Sequence, residues 1–256
     1  MYLCKKIIVR YFIEIAYNGT LYCGWQKQPN SLSVQEVLEK AMSVFLRTTI
    51  TVFAAGRTDA GVHAKQLFAH FDFPELSAIS ETIYRINALL PSDISVMSIK
   101  RVTDEAHARF NATARSYEYQ IQLSKNPFTT TLAHQIHKKH NIPLMNKAAN
   151  MLLGRQDFEC FSRSNTQVNT FFCDITNAHW ELQGSTLLFY ITADRFLRNM
   201  VRAIVGTLLD VGFEKTSLEE LSAVIDSKNR SRAWSSAPAK GLYLTKVTYP
   251  QDIFIT

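Results

Sequence analysis

The sequence contains few cysteines and no long apolar run, and these absences exclude several classes of protein. Its four cysteines, Cys4, Cys23, Cys160 and Cys173, form no C-x-x-C pair and no Cys/His group with zinc spacing. A reduced, cytoplasmic setting is therefore the simplest expectation. No apolar run approaches the roughly 20 residues of a membrane span. Residues 1–10 are too short and too polar for a signal peptide.

Acidic residues are outnumbered by basic ones. The 256 residues include 28 Lys and Arg against 22 Asp and Glu, which gives a formal net charge of +6. An excess of this size attracts a polyanion such as RNA or DNA. A soluble enzyme that happens to be basic has the same composition, so charge alone leaves both interpretations open. The length allows one large domain or two small ones.

Hydrophobic periodicity predicts the element order β-α-β-β-α-β in residues 1–103. Ser33 and Glu36 match the capping-box pattern at the start of the first helix. This order is typical of a ferredoxin-like unit. The strands are expected at 8–17, 50–55, 66–73 and 94–102, and the second helix at 80–90.

Residues 104–256 repeat the plan with one extra helix. Helices are expected between Pro143 and Gly154, at 196–211 and at 217–226, and strands near 117–123, 172–182, 186–193 and 241–249. The predicted fold class is therefore α+β, with two ferredoxin-like halves whose strands form one continuous mixed or antiparallel sheet. Helices would cover one side, which leaves the other face or the cleft between the halves for a large ligand.

The loop 56–64 (GRTDAGVHA) carries Arg57 and Asp59 between glycines. An aspartate in such a loop is most often an Asx-turn or a cap. A carboxylate can also act as a nucleophile, and a nearby arginine can favour its ionised form or contact a ligand. A metal-dependent role is not favoured because no acidic cluster accompanies Asp59.

Aromatic and basic residues elsewhere suggest a surface for nucleic acid. Tyr117 is on the apolar face of its strand, where a tyrosine is usually part of the core. The neighbouring Arg115 and the run 109–111 (Arg-Phe-Asn) favour a ring that stacks on an unpaired base. His63 and His70 are candidates for proton transfer, although single histidines are more often structural.

Arg195, Arg198 and Arg202 have the i, i+3, i+7 spacing of a shared helix face within 196–211 and its N-terminal flank. Such a face is usually only solvated. Because Arg202 adjoins the apolar stripe, we expect it to be partly buried and to need a carboxylate partner, for which Asp59 is a candidate. A second basic group suits either phosphate contact or an exposed loop: Lys228, Arg230, Arg232 and Lys240, interleaved with Trp234.

Ordered blocks along the chain resemble the bacterial tRNA pseudouridine synthase A family. The loop 56–64 resembles that family's catalytic loop. The other blocks are 15–20 (IAYNGT), 24–26 (GWQ), 34–35, Asn87 with 90–91, 107–110 (HARF), 117–119 (YEY), 196–197, 200–202 (MVR), 205–206 and 241–242 (GL). They are distributed along the length of the chain.

The resemblance implies an isomerase that converts uridines 38, 39 and 40 of the tRNA anticodon stem-loop to pseudouridine. It also implies a homodimer that uses no metal and no cofactor. Carried over residue by residue, it makes Asp59 the nucleophile and Arg202 the partner of Asp59. It makes Tyr117 the ring that stacks on the target base and a candidate for proton removal. It makes Arg57 a support for the flipped nucleotide, and the remaining expected substrate contacts are Arg109, Arg195, Arg198 and Leu242.

Two positions depart from the family pattern. Gln156 stands where histidine is frequent, and Ala106 stands where an aromatic is common. Two alternatives also stay open: a non-catalytic RNA-binding protein on the same scaffold, and a related synthase with another RNA target. The first predicts that Asp59→Asn changes nothing measurable, whereas the enzyme hypothesis predicts that it stops turnover.

Overall fold

A computed structural model describes residues 8–138, 140–163 and 169–255. Cys4, which is expected to be reduced, lies outside the described residues. The chain divides into two compact units, one of residues 1–113 with 244–256 and one of residues 114–243. The sequence assigns 104–113 and 244–256 to the second half, whereas their structural contacts group them with the first unit.

The first unit has the predicted order of strands and helices. Strand β1 (Ile8–Tyr17) pairs antiparallel with β3 (His63–Pro74) on one side and with β4 (Ile94–Arg101) on the other. Strand β2 (Phe53–Ala54) pairs with β3. This β4-β1-β3-β2 order is that of a ferredoxin-like unit. Its elements are β1 (Ile8–Tyr17), α1 (Val34–Leu46), β2 (Phe53–Ala54), β3 (His63–Pro74), α2 (Ile79–Leu89) and β4 (Ile94–Arg101).

Two boundaries in the first unit differ from the prediction and bear on the loop 56–64. The strand expected at 50–55 is only two residues long, and β3 begins at His63 rather than at residue 66. The last residues of the loop therefore belong to a strand. The start of α1 is as predicted, since the Oγ of Ser33 accepts a hydrogen bond from the backbone N–H of Glu36 at 3.2 Å.

The second unit is also built on an antiparallel sheet. Its strand order is β5 (Ala114–Gln122), β9 (Thr186–Ala193), β8 (Phe172–Gln183) and β7 (Gly154–Asp157), and β6 (His134–Gln135) pairs parallel with β5. Strands β6 and β7 were not predicted, because two and four residues are too few to show a period. The elements are β5 (Ala114–Gln122), β6 (His134–Gln135), α3 (Ile142–Asn150), β7 (Gly154–Asp157), β8 (Phe172–Gln183), β9 (Thr186–Ala193), α4 (Met200–Gly212), α5 (Leu218–Ser227) and β10 (Leu242–Thr248), the last crossing the boundary between the units.

The predicted shared helix face of Arg195, Arg198 and Arg202 is wrong. Helix α4 begins at Met200, and Asn199 before it has left-handed backbone (φ 65°). The preceding segment is held by non-helical hydrogen bonds. The Asp194 carboxylate accepts from the N–H of Arg195 at 2.7 Å, and the Arg198 carbonyl accepts from the N–H of Arg163 at 3.0 Å. Only Arg202 of the three arginines lies on the helix.

The α+β class is confirmed by five α-helices and mostly antiparallel strands in the described part of the chain. Helix α4 supplies much of the second unit's core, with Ala203, Ile204 and Val205 all fully buried. Across the described ranges, every helix is too short or too polar to cross a lipid bilayer.

Candidate active site

The loop 56–64 is fixed at both ends by buried side chains of the first unit. The Tyr17 hydroxyl and the Thr58 Oγ1 lie 2.8 Å apart in a buried hydrogen bond. The N–H of Gly19 donates to the Nδ1 of His63 at 3.0 Å. His63 therefore has a structural role at this nitrogen, which agrees with the more common interpretation of a single histidine.

The segment 22–25 holds the middle of the loop through backbone hydrogen bonds. Trp25 N–H donates to the Thr58 carbonyl at 3.2 Å, and Gly61 N–H donates to the Tyr22 carbonyl at 3.3 Å. Gly24 and Asp59 form an antiparallel β-bridge. The backbone of Asp59 is thus bound to a second segment of the chain rather than held only by its neighbours.

Gly24 is required by this arrangement. Its φ is +107°, which side chains rarely adopt, and a Cβ there would collide with the Thr58 carbonyl oxygen. Gly24, the first residue of the block 24–26, therefore lets two backbone segments approach closely. In the sequence this block is visible only through the family resemblance, and its role depends on contacts between distant segments.

The side chains of the loop differ in exposure in a way that suits a reactive site. Thr58 is buried, Asp59 is half-buried, and Arg57 is exposed. A carboxylate on a fixed backbone with access to solvent can reach a substrate without the loop having to reorganise. Among the described residues, no three His, Cys, Asp or Glu side chains lie together as metal ligands would.

Tyr117 is the accessible aromatic residue of β5. It is half-buried, and its ring meets that of Phe196 edge-on, with centroids 5.2 Å apart and planes at 88°. Tyr119, two residues along, is fully buried and donates its hydroxyl to the Pro238 carbonyl at 2.8 Å. Burial raises the pKa of Tyr119 well above its usual value, so it stays neutral.

Arg202 is held by a loop of residues 233–238, called here the 233–238 loop. Its Nε donates to the Ala237 carbonyl at 2.8 Å, and the Ala237 N–H donates to the Arg202 carbonyl at 2.9 Å. Gly206, one turn further along α4, allows close approach, because a Cβ there would collide with the Ser235 carbonyl. The half-burial expected for Arg202 is observed.

Arg230 fixes the same loop from inside. Its guanidinium donates to the carbonyls of Ala233 and Trp234 at 3.1 and 3.3 Å and to the Oγ of Ser236 at 3.2 Å. The Ser236 Oγ also accepts from the side-chain amide of Asn199 at 2.6 Å. This network was not predicted, since nothing in the sequence separates an inward-pointing arginine from an exposed one.

The other cations near Arg230 are partly engaged within the protein. Lys228 forms an ion pair with Asp157 at 3.6 Å, and Lys240 donates to the Thr130 carbonyl at 2.8 Å. Arg232 is exposed, and Trp234 is half-buried. Of these cations, Arg232 is therefore the most accessible to a phosphate, and the choice between phosphate contact and a solvated loop stays open.

The expected site residues fall in both units. Arg57, Asp59 and Arg109 belong to the first unit, and the other five belong to the second: Tyr117, Arg195, Arg198, Arg202 and Leu242. Arg109 and Arg198 are exposed, Arg195 is half-buried, and Leu242 is buried at the start of β10. Their roles toward a substrate stay predictions.

The two departures from the family pattern have local structural roles. The Gln156 amide donates to the carbonyls of Met151 and Leu153 at 3.0 and 2.8 Å, which ties β7 to the end of α3. Ala106 is buried, and its carbonyl accepts from Arg10 at 3.3 Å. Neither residue is part of the loop 56–64.

Comparison with known proteins identifies the class of the protein as a pseudouridine synthase. The sequence profile of the family described as tRNA pseudouridine synthase matches residues 148–250. Proteins named tRNA pseudouridine synthase A are similar over nearly the whole chain. The one from Bacteroides fragilis is 49% identical over 96% of this chain and 99% of its own length.

Two further relatives are also similar over nearly the whole chain. The tRNA pseudouridine synthase A of Porphyromonas gingivalis is 48% identical over 97% of this chain and 100% of its own length. That of Francisella tularensis subsp. holarctica is 40% identical over 95% of both chains. The chain therefore belongs to the tRNA pseudouridine synthase A family, which confirms the resemblance and the expected class of isomerase.

Proposed function

We propose that this protein converts uridines 38, 39 and 40 in the anticodon stem-loop of tRNA to pseudouridine, with Asp59 as nucleophile. The observation that carries the proposal is the loop 56–64, whose Asp59 is half-buried on a backbone bound to Gly24. Membership of the tRNA pseudouridine synthase A family supports tRNA as the substrate.

The reaction is an isomerisation, so no atom is gained or lost overall. The C1′–N1 bond breaks, the base turns over, and a C1′–C5 bond forms. The proton on C5 leaves and N1 acquires one. A nucleophile that holds one fragment covalently while the other rotates keeps both in the site. No cofactor is required by this balance.

Asp59 has two possible targets, the ribose C1′ and the base C6, and both satisfy the balance. Attack at C1′ displaces the base from the sugar, whereas attack at C6 adds Asp59 across the C5–C6 bond. Either route needs an ionised carboxylate with a fixed approach. The backbone bonds from Gly61 to Tyr22 and from Trp25 to Thr58 support such a fixed approach.

Three other side chains serve the target nucleotide in this proposal. Tyr117 stacks on the base. Its side chain is only half-buried beside Phe196, so part of it is accessible to the base. Arg202 pairs with Asp59 and keeps it ionised, and the 233–238 loop orients its guanidinium. Arg57, exposed on the loop, supports the flipped nucleotide or takes the space that the base leaves. The target must leave its stack first, because its reacting atoms are otherwise out of reach.

The wider substrate contacts follow from charge. Arg109, Arg195 and Arg198 contact phosphates in this proposal, and Leu242 lines the base pocket. The net charge of +6 favours such an interface. We further propose a cytoplasmic homodimer, as the family resemblance implies.

The proposal is tested by tritium release from tRNA transcripts that carry uridine labelled at C5. The wild-type protein should release tritium from uridines 38–40, and transcripts with cytidine at those positions should release none. Release from other positions would indicate a synthase with another RNA target. Tight binding without any release would indicate a non-catalytic RNA-binding protein.

A further inference from the structure

Four aromatic rings of the first unit form a continuous row that the proposed chemistry does not use. Phe53 stacks on His70, with ring centroids 5.2 Å apart and planes at 22°. The His70 and His107 centroids lie 4.5 Å apart, and those of His107 and Phe110 lie 4.3 Å apart. Phe53 comes from β2, His70 from β3, and the other two from the turn 107–111.

The row is buried in the middle and exposed at its ends. Phe110 is 75% exposed and Phe53 is 54% exposed, whereas His70 is only 4% exposed. Large aromatic rings are normally covered by other side chains, because exposing them forgoes the gain from burial. Exposed rings at both ends of one row leave stacking area open to a ligand.

Phe110 is held in place by its own turn rather than by apolar packing. The His107 N–H donates to the Asn111 Oδ1 at 2.7 Å, and the Asn111 N–H donates to the His107 carbonyl at 3.0 Å. The Arg109 N–H donates to the His107 Nδ1 at 3.1 Å. An exposed ring on an ordered turn loses little conformational entropy when a partner stacks on it.

His70 fixes the turn to the sheet. Its Nδ1 accepts from the N–H of Ala108 at 3.2 Å, and it also hydrogen-bonds to the backbone of Phe53. Burial, with His107 and Arg10 nearby, lowers the pKa of His70 to about 4, so its ring is neutral at neutral pH. The centre of the row is therefore rigid and uncharged.

The charge beside the row indicates what stacks there. The Arg109 guanidinium carbon lies 5.7 Å from the centre of the Phe110 ring. An exposed aromatic ring beside an arginine is how proteins hold an unpaired base while contacting its phosphate. The net charge of +6 favours a polyanion such as a nucleic acid as the partner over an uncharged apolar peptide.

We propose that the row Phe53–His70–His107–Phe110 is a stacking site for an unpaired base of the RNA substrate, separate from the target base, with Phe110 as its main contact. This inference rests on the proposed function for the identity of the RNA. It adds a second base-binding position, distinct in sequence and in unit from the Tyr117 ring.

The test is binding of an unmodified tRNA transcript to full-length variants. Phe110→Ala should raise the Kd about tenfold, Phe110→Leu should do so to a similar extent, and Phe110→Tyr should change it by less than about twofold. Phe128→Ala is the matched control, because Phe128 is 88% exposed and belongs to the second unit. That variant should bind as the wild type does.

A spectroscopic readout separates stacking from general apolar contact. One purine of the anticodon loop at a time is replaced by 2-aminopurine, whose fluorescence is quenched on stacking. At one position the wild type should quench it and Phe110→Ala should not, and Phe53→Ala should reduce the quenching. An unchanged Kd in Phe110→Ala would overturn the inference, and so would a wild-type Kd together with wild-type quenching in Phe110→Leu.

The two proposals fail separately. Pseudouridine at positions 38–40 with a wild-type Kd in Phe110→Ala would refute the stacking site and leave the proposed function standing. Binding that depends on Phe110, without pseudouridine at those positions, would refute the proposed function and support the stacking site.

Discussion

Arg202 and Ala237 are joined by two reciprocal hydrogen bonds. The Arg202 Nε donates to the Ala237 carbonyl at 2.8 Å, and the Ala237 N–H donates to the Arg202 carbonyl at 2.9 Å. The orientation of the guanidinium therefore depends on the 233–238 loop. The proposed mechanism pairs Arg202 with Asp59, and it therefore predicts that changes in the 233–238 loop affect turnover.

Arg230→Met should lower the turnover of tRNA through Arg202. The substitution removes the three hydrogen bonds that the guanidinium donates to the Ala233 and Trp234 carbonyls and to the Ser236 Oγ. We expect kcat to fall about tenfold or more, with a smaller change in KM, as for a lost transition-state interaction. Single-turnover and steady-state rates on tRNA transcripts measure the two parameters.

The matched control for Arg230→Met is Arg232→Met. Both residues belong to one short 3₁₀ turn, and Arg232 is exposed. Arg232→Met should leave kcat unchanged and raise KM through the lost phosphate contact. Equal losses of kcat in the two variants would contradict a positioning role for Arg230.

Gly24→Ala should damage the loop 56–64. The new Cβ would collide with the Thr58 carbonyl, and the φ of +107° is unfavourable for alanine. We expect the free energy of unfolding to fall by about 2 kcal/mol or more, together with a large loss of turnover. Urea denaturation and activity measured at a temperature where the variant is folded separate the two effects.

Gly56→Ala is the control within the same loop. Gly56 has ordinary backbone, and nothing lies within 4 Å of a Cβ added there. It should leave stability within about 0.5 kcal/mol of the wild type. If both glycine variants behaved alike, close packing of residues 24 and 58 would not explain the requirement for glycine.

Acid should destabilise the first unit through His70. Its folded-state pKa of about 4 is below the unfolded value near 6.5, so the unfolded chain binds the proton more readily. The stabilising contribution is complete above pH 6.5 and is lost as the pH falls toward 4. It amounts to about 3 kcal/mol over that range.

The free energy of unfolding, measured from pH 7 to pH 4, tests this contribution. His70→Asn should flatten the pH dependence, whereas His179→Asn should not, because His179 is exposed. His107, His134 and His140 also have pKa values lowered by burial, so part of the slope should persist in His70→Asn. A slope that is the same in the wild type and in His70→Asn would exclude the effect.

Arg198→Glu should lower the affinity for tRNA and make that affinity less dependent on salt concentration. Arg198 is exposed on the segment before α4, where a phosphate can reach it. Loss of one phosphate contact should lower the slope of log K against log salt by about 1. Lys40→Glu, an equal charge change at an exposed position of α1, serves as the control. Equal slopes for Arg198→Glu and the wild type would argue against contact.

Sequence patterns predicted most of the fold because the long elements bury one face. The strands predicted at 8–17 and 186–193 are β1 and β9 of the structure, and Ser33 caps α1 as its pattern predicted. The start of α4 was missed by four residues. Its apolar positions continue backward through Leu197, whereas Asn199 adopts a left-handed conformation that periodicity cannot detect.

The sequence indicated candidate residues for the site, but not the contacts that hold these residues in place. Asp59 and Tyr117 stood out through neighbouring glycines and arginines. Gly24 and Arg230 did not, because their roles depend on backbone approaches between segments distant in sequence. Arg230 and Arg232 are alike in sequence, and only tertiary contacts distinguish the one that points inward.

The most direct test of the central claim is a site-resolved map of pseudouridine in tRNA from cells that lack this protein. The map is repeated after complementation with the wild type and with Asp59→Asn, whose folding and tRNA binding are checked separately. Pseudouridine at positions 38–40 should be absent without the protein, return with the wild type and stay absent with Asp59→Asn. Unchanged modification in cells that lack the protein, or full restoration by Asp59→Asn, would contradict the account.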